Sequence, residues 1–380
     1  MPGDPADRTA RRRRAGPVSA PVVFAKQAVP DRLPSHRRAA LLRDPAFGTV
    51  FTEHMSTVRY REGKGWHDAR VEPFGPLPLS PASSVLHYGQ EVFEGLKVYR
   101  TDSGRAQLFR PDANAHRFRR SARRLSMPEV PDELFLGAVE ALFAADRDWL
   151  PAEPGSTLYL RPFLIATEVC IGARPAAEYL FCVIATPPGA HFAAGTPAMT
   201  VWICDGYTRA APGGTGAAKC GGNYAAAMAG QAEAAEAGCD QVVFLDAAKR
   251  SYVEELGGMN IFFVFDDGTL LTPPLTDSVL PGITRDSVIS LAEARGYRVA
   301  EEPYTRDQWR ADAAAGRVRE VFACGTAAVV TGIGTVRSPA GEFTLPGPAP
   351  GPVTVELRTA VEDIQFGRVE PPPHWTHALV

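Results

Sequence analysis

One lysine of the chain lies among glycines, in the segment Gly-Gly-Thr-Gly-Ala-Ala-Lys-Cys-Gly-Gly-Asn-Tyr at positions 213–224. This residue, Lys219, is one of only five lysines among 40 basic residues. A partly desolvated lysine can lose its proton and form a Schiff base, whereas arginine stays protonated. The alternative is a glycine-rich phosphate loop, although Cys220 follows Lys219 where the Walker pattern requires Ser or Thr. The segment alone leaves both interpretations open.

A candidate anion site lies at 280–285, Leu-Pro-Gly-Ile-Thr-Arg, directly before a predicted helix. A glycine turn that opens a helix presents unpaired backbone N–H groups and the positive end of the helix dipole. An ordinary Pro-Gly turn with Thr284 as the helix N-cap would explain the same residues.

Two adjacent carboxylates, Glu254 and Glu255, precede Leu-Gly-Gly-Met-Asn and an apolar run. A carboxylate that faces a protonated ring nitrogen makes a charge-assisted hydrogen bond and keeps the ring electron-withdrawing. A solvated pair of glutamates in a turn is the alternative interpretation.

Small residues fill positions 323–328, Ala-Cys-Gly-Thr-Ala-Ala, after another predicted strand. Such a turn can bring backbone N–H groups and the Thr326 hydroxyl against a phosphate or a carboxylate, or it is a tight turn where packing excludes larger side chains. With the amine of Lys219, the hydroxyl of Tyr224 and the glutamates, these segments contain the groups that a pyridoxal 5′-phosphate (PLP) site requires.

Length, charge and cysteine usage limit the classes of protein to which the chain can belong. A chain of 380 residues predicts two domains, and 45% apolar with 22% charged residues is typical of soluble globular proteins. A net charge of −3 argues against nucleic acid as the main partner. The six cysteines are dispersed without a C-x-x-C, which indicates reduced thiols in the cytoplasm and no metal site. No apolar stretch approaches the length of a membrane span.

The predicted organisation is a tail, two domains and a linker. Residues 1–18 contain four consecutive arginines and no apolar periodicity, which predicts a disordered N-terminal tail. An arginine-rich transit peptide is the alternative, but Asp4 and Asp7 disfavour it. We expect a small α/β domain at 19–186, an interdomain linker at 187–197 that begins Pro-Pro-Gly, and a large cofactor-binding domain at 198–380.

Hydrophobic periodicity predicts a mixture of strands and helices. Helices are expected at 114–125, after Asp112 as the N-cap, and at 131–148, 223–236 and 285–295. Because strict βαβ alternation is missing, we expect α+β or mixed α/β domains. Strands are expected at 57–61, 96–100, 106–109, 157–161, 179–186, 198–204, 241–245, 261–265 and 318–323.

Six motifs in this order resemble those of the branched-chain amino acid aminotransferases, which are fold-type IV PLP enzymes. The resemblance runs from about residue 45 to 367 and implies a two-domain fold with the PLP site at the domain interface. The motifs are Leu-His-Tyr-Gly-Gln-Glu-Val-Phe-Glu-Gly-Leu-Lys at 86–97, Leu-Tyr-Leu-Arg-Pro at 158–162, the segment 213–224, Glu-Leu-Gly-Gly-Met-Asn-Ile-Phe at 255–262, Leu-Pro-Gly-Ile-Thr at 280–284 and Gly-Thr-Ala at 325–327.

The resemblance implies a role for each matching residue around the cofactor. Lys219 is similar to the lysine that forms the Schiff base, Tyr224 to the group that hydrogen-bonds the phenolic oxygen, and Glu255 to the carboxylate at the pyridine nitrogen. The residues implied to bind the phosphate are Arg117, Ile283, Thr284 and Thr326.

The resemblance also implies a substrate side. Tyr159 and Arg161 match substrate-binding positions, Phe93 lines the side-chain pocket, and the Ala327 N–H binds the substrate carboxylate. Tyr88 matches a residue that members contribute across a homodimer interface.

Two departures from the family pattern bear on function. Some members carry a threonine where this chain has Gly258, so carboxylate binding here must depend on Ala327, Tyr159 or other donors. The redox C-x-x-C of animal members is missing, because Ala328 and Thr331 occupy those positions.

The implied activity is reversible amino transfer between leucine, isoleucine or valine and 2-oxoglutarate. The alternatives are a D-amino acid transaminase or an aminodeoxychorismate lyase of the same fold, and a catalytically silent homologue kept for binding.

Overall fold

Two mixed β-sheets organise the molecule. The computed structural model describes residues 22–43, 45–153, 155–188 and 198–380. The predicted tail at 1–18 and positions 189–197 of the predicted linker lie outside these ranges. In the described part each sheet has nine strands. The predicted mixed α/β fold class is confirmed by this architecture.

The first sheet is built mainly from the N-terminal half of the chain. Its strands run in the order β1-β3-β2-β8-β7-β5-β6-β18, and β4 pairs with β7. These strands are β1 (Ala25–Lys26), β2 (His54–Arg61), β3 (Gly65–Pro73), β4 (Glu91–Phe93), β5 (Leu96–Arg100), β6 (Ala106–Phe109), β7 (Thr157–Ala166), β8 (Glu178–Thr186) and β18 (Thr376–Leu379).

The second sheet has the order β11-β10-β9-β16-β15-β12-β13-β14, and β17 pairs with β16. Its strands are β9 (Met199–Cys204), β10 (Gln241–Leu245), β11 (Val253–Leu256), β12 (Asn260–Phe265), β13 (Thr269–Thr272), β14 (Arg298–Glu301), β15 (Val318–Gly325), β16 (Val329–Ser338) and β17 (Gly341–Thr344).

Helices cover the sheets with their apolar faces. Phe118 and Phe135, from two of these helices, pack with Phe181 of β8 in the core of the first sheet. Val288 and Leu357 pack with Phe322 of β15 over the second. The helices are α1 (Ser35–Leu42), α2 (Ser84–Tyr88), α3 (Pro111–Arg124), α4 (Asp132–Asp146), α5 (Gly221–Glu236), α6 (Ile283–Glu293), α7 (Arg306–Ala314) and α8 (Pro352–Gln365), with a 3-10 turn at Arg147–Trp149.

Several expectations differ from the observed elements, and β7, for example, continues to Ala166 beyond the predicted 157–161. The predicted second domain extended through residue 380, but β18 pairs antiparallel with β6 of the first sheet. Helix α3 begins at Pro111 after Arg110, whose φ is 49°, so Asp112 lies in the first turn and is not the cap. Helix α6 begins two residues before the prediction, with Gly282 as its N-cap, which excludes Thr284 from that role.

The two sheets meet through side chains that reach between them. Arg124 of α3 donates from Nη2 to the carbonyl oxygens of Gly213 and Gly214, at 2.8 and 2.9 Å. Lys97 of β5 donates to the carbonyl of Ala327, between β15 and β16. The Arg124 contacts place the loop that carries Lys219 beside the first sheet, and the Lys97 contact does the same for the turn at Ala327. None of the helices in the described ranges is both long and apolar enough to span a membrane.

Candidate active site

The loop before α5 holds Lys219 by its backbone and directs its amine to a tyrosine. The Lys219 N–H donates to Ser121 Oγ at 2.9 Å, and its carbonyl accepts from the Phe93 N–H at 3.0 Å. The side-chain Nζ donates to Tyr224 Oη at 2.8 Å. Since the residue is anchored on both sides of its backbone, only the half-buried side chain retains freedom to move.

Close contacts made by the glycine-rich segment explain why Gly216 and Asn223 occupy their positions. A Cβ atom on Gly216 would overlap the backbone of Ser278, so a side chain there would push the loop away from its neighbour. Asn223 closes the loop, because its Nδ2 donates to the carbonyls of Thr215 and Ala218 at 2.8 and 2.7 Å.

Glu255 at the end of β11 is buried and has partners at both oxygens. Its Oε2 accepts from Arg209 Nε at 2.8 Å, and its Oε1 accepts from the Leu280 N–H. Burial raises the pKa of the Glu255 carboxyl to about 7, while Arg209 and the Leu280 N–H act in the opposite direction. A further cationic N–H donor would favour the ionised form. The neighbouring Glu254 accepts a hydrogen bond from Ser278 Oγ instead.

The N-terminus of α6 presents unpaired backbone N–H groups at one end of this group of residues. Ile283 and Thr284 are its first two residues, and helix geometry leaves their N–H groups without intrahelical partners. Arg117 of α3 lies beside this turn, because its Nη1 donates to the Pro281 carbonyl at 3.3 Å. The dipole of α6 and the nearby guanidinium together favour a phosphate-sized anion at this position.

Arg117 is also paired with a carboxylate that received no role from the sequence. Its Nε and Nη2 donate to the two oxygens of Glu94 at 2.7 and 2.9 Å. Both side chains are buried, with 4% and 0% exposure. Burial opposes ionisation, yet the Arg117 charge and hydrogen bonds hold the pKa of Glu94 below its ordinary value. Glu94 therefore fixes the guanidinium, whose remaining donors are available to a ligand.

Two aromatic rings lie beside the Lys219 amine. The Phe93 and Tyr224 rings lie 4.9 Å apart between centroids, and the Arg161 guanidinium lies over Phe93 at 4.8 Å. Arg161 Nη2 donates to Tyr159 Oη at 3.3 Å, while its buried Nε has no partner among the described residues. A Cβ on Gly95 would overlap Tyr159 Oη, so only glycine lets this tyrosine approach the backbone.

Among the remaining predicted positions, Gly258 and Thr326 lie beside these residues, whereas Tyr88 does not. A Cβ on Gly258 would lie 3.3 Å from Tyr224 Cε1, so a larger residue there would require the tyrosine ring to move. Thr326 donates to the Gly95 carbonyl at 3.3 Å, which places its turn against the first sheet. Tyr88 is 45% exposed on α2, and its hydroxyl donates to the Ile171 carbonyl and not to a residue of the Lys219 group.

Comparison with known proteins decides the family. The family model described as amino-transferase class IV matches residues 91–336, which include the Lys219 loop, Glu255 and the α6 turn. The chain belongs to the class IV aminotransferases. The resemblance inferred from the six motifs is thereby confirmed.

Similar members of this aminotransferase family are named for branched-chain amino acids. The chain is 51% identical to a probable branched-chain-amino-acid aminotransferase of Streptomyces coelicolor over 91% of its own length and 96% of that protein. It is 52% identical to the branched-chain-amino-acid aminotransferase of Mycobacterium tuberculosis H37Rv, over 90% and 94% of the two chains.

Solved aminotransferase structures share the fold. The Escherichia coli branched-chain amino acid aminotransferase matches with a TM-score of 0.70 at 27% identity, over 86% of this chain and 98% of that one. The T.th. branched-chain amino acid aminotransferase, solved with pyridoxamine 5′-phosphate, matches with a TM-score of 0.65 at 30% identity, over 85% and 98% of the two chains.

Sequence reasoning missed three residues that contact the predicted site residues. Ser121 and Glu94 hold Lys219 and Arg117, and Arg209 holds Glu255. Glu94 lies within a motif that carries the resemblance, but nothing in the sequence showed that it faces Arg117. Arg209 precedes the glycine-rich segment by only a few residues, and this closeness is the signal that could have identified it.

Proposed function

We propose that the chain is a PLP-dependent aminotransferase that transfers the amino group reversibly between L-leucine, L-isoleucine or L-valine and 2-oxoglutarate. The observation that carries this proposal is the Lys219 amine held 2.8 Å from Tyr224 Oη within one group of residues with Glu255 and the α6 N-terminus. The names of the relatives at about 50% identity support the substrate class.

The donor set fits PLP. Glu255 could accept a further hydrogen bond from a protonated ring nitrogen, because Arg209 at Oε2 and the Leu280 N–H at Oε1 fix the carboxylate without using all of its lone pairs. The N–H groups of Ile283 and Thr284, with Thr326 and Arg117, would hold the phosphate. When bound, PLP supplies an electron sink for charge that develops at the substrate α-carbon.

The residues of the chain would then position and move protons. Lys219 Nζ acts as general base when it removes the proton from the substrate α-carbon. It acts as general acid when it donates that proton again in a later step of the amino transfer. Tyr224 Oη accepts a hydrogen bond from Nζ and keeps the amine over the ring of Phe93, 5.0 Å from its centroid. Loss of one product before the second substrate binds gives ping-pong kinetics.

The pocket beside Lys219 must accept an aliphatic side chain and a glutamate side chain in turn. Phe93 and Tyr159 provide apolar ring surface, and the Arg161 guanidinium, which lies over both rings, provides the positive charge for the γ-carboxylate. Discrimination among leucine, isoleucine and valine is expected to be weak, because one methylene contributes only about 1–3 kcal/mol. The six free cysteines favour a reducing compartment, and we place the reaction in the cytoplasm.

A direct assay separates this proposal from its closest alternatives. Purified protein with PLP is expected to convert L-leucine with 2-oxoglutarate into glutamate, and to give no glutamate with D-alanine. Activity confined to the D-substrate would replace the proposal by a D-amino acid transaminase. Lack of a visible absorbance band that borohydride abolishes would favour a silent homologue.

We also propose that the enzyme is a homodimer in which Tyr88 completes the partner's site. Around Tyr88 lies an apolar patch of Leu86, Val169 and Ile171, which are 59%, 66% and 67% exposed. The patch is one surface, because Tyr88 donates to the Ile171 carbonyl and Ser83 pairs with Val169. Exposed apolar patches of this kind mark protein interfaces.

The change Ile171→Asp is expected to shift the sedimentation coefficient from that of a dimer to that of a monomer, since a charge at the core of an interface is unfavourable. Because the monomer lacks the partner's Tyr88, kcat/KM for leucine should fall at least about tenfold. Val355→Asp is the control, because Val355 is also exposed, at 46%, but lies on α8 away from the patch. An Ile171→Asp protein that remains dimeric would contradict the interface.

A further inference from the structure

A buried lysine outside the predicted site contacts the turn that would bind the substrate. Lys97 of β5 is 8% exposed, and its Nζ donates to the Ala327 carbonyl at 3.0 Å. The contact joins the first sheet to the turn between β15 and β16. Burying an ammonium group is costly unless it is paired, and a methionine would fill similar space without that cost. The charge therefore requires an explanation beyond packing.

The turn at Ala327 is held in an unfavourable backbone conformation. Val329, the first residue of β16, follows this turn and has a φ of 57°, which a β-branched residue rarely adopts. Such a conformation persists only where surrounding contacts impose it. Three side-chain hydrogen bonds do so here: Lys97 to the Ala327 carbonyl, Thr331 Oγ1 to the Ala328 carbonyl at 3.1 Å, and Thr326 Oγ1 to the Gly95 carbonyl at 3.3 Å.

Two of the three contacts come from one short segment of the chain, Gly95 to Lys97. The Gly95 carbonyl lies directly before β5, and Lys97 is the second residue of that strand. Lys97 lies opposite Tyr159 in the β5–β7 pairing, and Tyr159 Oη approaches Gly95 closely. The turn, the tyrosine and the ammonium group therefore lie on the same face of the sheet.

We propose that Lys97 is a positioning residue for the substrate α-carboxylate: its ammonium group anchors the Ala327 turn and adds positive charge behind it. This inference rests on the proposed function, in which the Ala327 N–H binds that carboxylate. The cation favours an anion at the turn, and the hydrogen bond fixes the peptide groups that donate to it.

The charges around Lys97 make this contribution sensitive to pH. Glu362 and Arg358 of α8 face Lys97 and are paired with each other at 2.9 Å, so their effects on the ammonium group oppose one another. Tyr99 on β5 and Tyr159 on β7 are further titratable groups on that face, and the Arg161 cation lies beside Tyr159 on the same strand. Burial lowers the pKa of Lys97 to about 8, with Glu362 acting in the opposite direction and Arg358 in the same direction. The positive charge is lost as the pH rises through that value.

Two ligands that each lack one half of leucine test the proposal on the PLP-loaded enzyme. 4-Methylvaleric acid has the carboxylate without the amine, and 3-methylbutan-1-amine has the amine without the carboxylate. Lys97→Met is expected to raise the dissociation constant of the acid about 10- to 100-fold, the range for a hydrogen bond to a charged group. The dissociation constant of the amine should change less than about threefold. Lys97→Arg, which keeps the charge and donors, should restore most of the acid's affinity.

The pH profile gives a second measurement that a merely structural lysine would not affect. Wild-type affinity for 4-methylvaleric acid is expected to fall above about pH 8, whereas Lys97→Arg should retain it, because arginine stays protonated there. This comparison also decides the matter if Lys97→Met does not fold. Equal weakening of acid and amine, or identical profiles for wild type and Lys97→Arg, would overturn the proposal. Binding is measured without turnover, so failure of leucine transamination would be visible separately.

Discussion

Replacing Lys219 by alanine is expected to lower kcat for leucine transamination by about 10⁴-fold or more, because no other group takes over proton transfer at the α-carbon. The visible absorbance band that borohydride abolishes should disappear as well, since only the Lys219 amine is held beside Tyr224. The backbone bonds to Ser121 and Phe93 do not involve the side chain, so the fold should persist. Single-turnover kinetics and the unfolding midpoint measure the two effects.

The control for this change is Lys64→Ala, which removes an exposed lysine from the turn between β2 and β3. It should leave both kcat and the absorbance band unchanged. A Lys219→Ala protein that keeps more than about 1% of wild-type kcat would show that another base performs the reaction, since a single positioned base commonly contributes about 10²–10⁴-fold.

Replacing Glu94 by glutamine is expected to destabilise the protein by about 3–5 kcal/mol, because it leaves the buried Arg117 guanidinium without a counter-charge. The side chain keeps its shape, so the loss reflects charge and not a cavity. The free energy of unfolding should be measured by urea titration of protein stripped of PLP, since cofactor binding would add its own stabilisation.

A second pair on the same helix provides the matched control for Glu94→Gln. Arg123 donates to both oxygens of Glu129 at 2.8 Å, but the Arg123 side chain is 65% exposed. Glu129→Gln should therefore cost less than about 1 kcal/mol. Equal losses in the two variants would contradict the role of burial.

The Glu94 effect should also depend on pH. Since Arg117 holds the pKa of Glu94 below its ordinary value of 4.5, the pair stabilises the folded state above that value. As the pH falls below 4.5 towards the folded-state pKa, the carboxylate is protonated and the difference between wild type and Glu94→Gln should shrink.

Local residue patterns predicted most of the elements and several neighbours in the site. The strands at 96–100, 106–109 and 241–245 coincide with β5, β6 and β10, because strand-forming residues there lie between turn residues on both sides. Lys219 and Tyr224 were expected to be close, since both belong to one short segment that opens a helix. The family resemblance, and not periodicity, placed Glu255 and the α6 turn beside them.

Long-range pairings could not be predicted from the sequence. The contacts Arg117–Glu94 and Arg209–Glu255 join residues 23 and 46 positions apart on different elements, and a charge pattern does not specify such partners. Arg117 lies among four other arginines on α3, where a solvated face was the simpler interpretation. Its burial against β4 and the α6 turn distinguishes it from them, and that is a property of the tertiary structure.

Because β18 belongs to the first sheet, the chain connects the two sheets twice. The chain leaves the first sheet at Thr186, forms the whole second sheet, and returns to the first sheet at Thr376. The second sheet is thus an insertion within the first, with a covalent crossing at each of its ends. A body attached by one crossing can rotate about it, whereas two separate crossings define an axis and leave far fewer relative motions. Chain connectivity therefore limits the ways in which the second sheet, which carries Glu255, can move relative to the first.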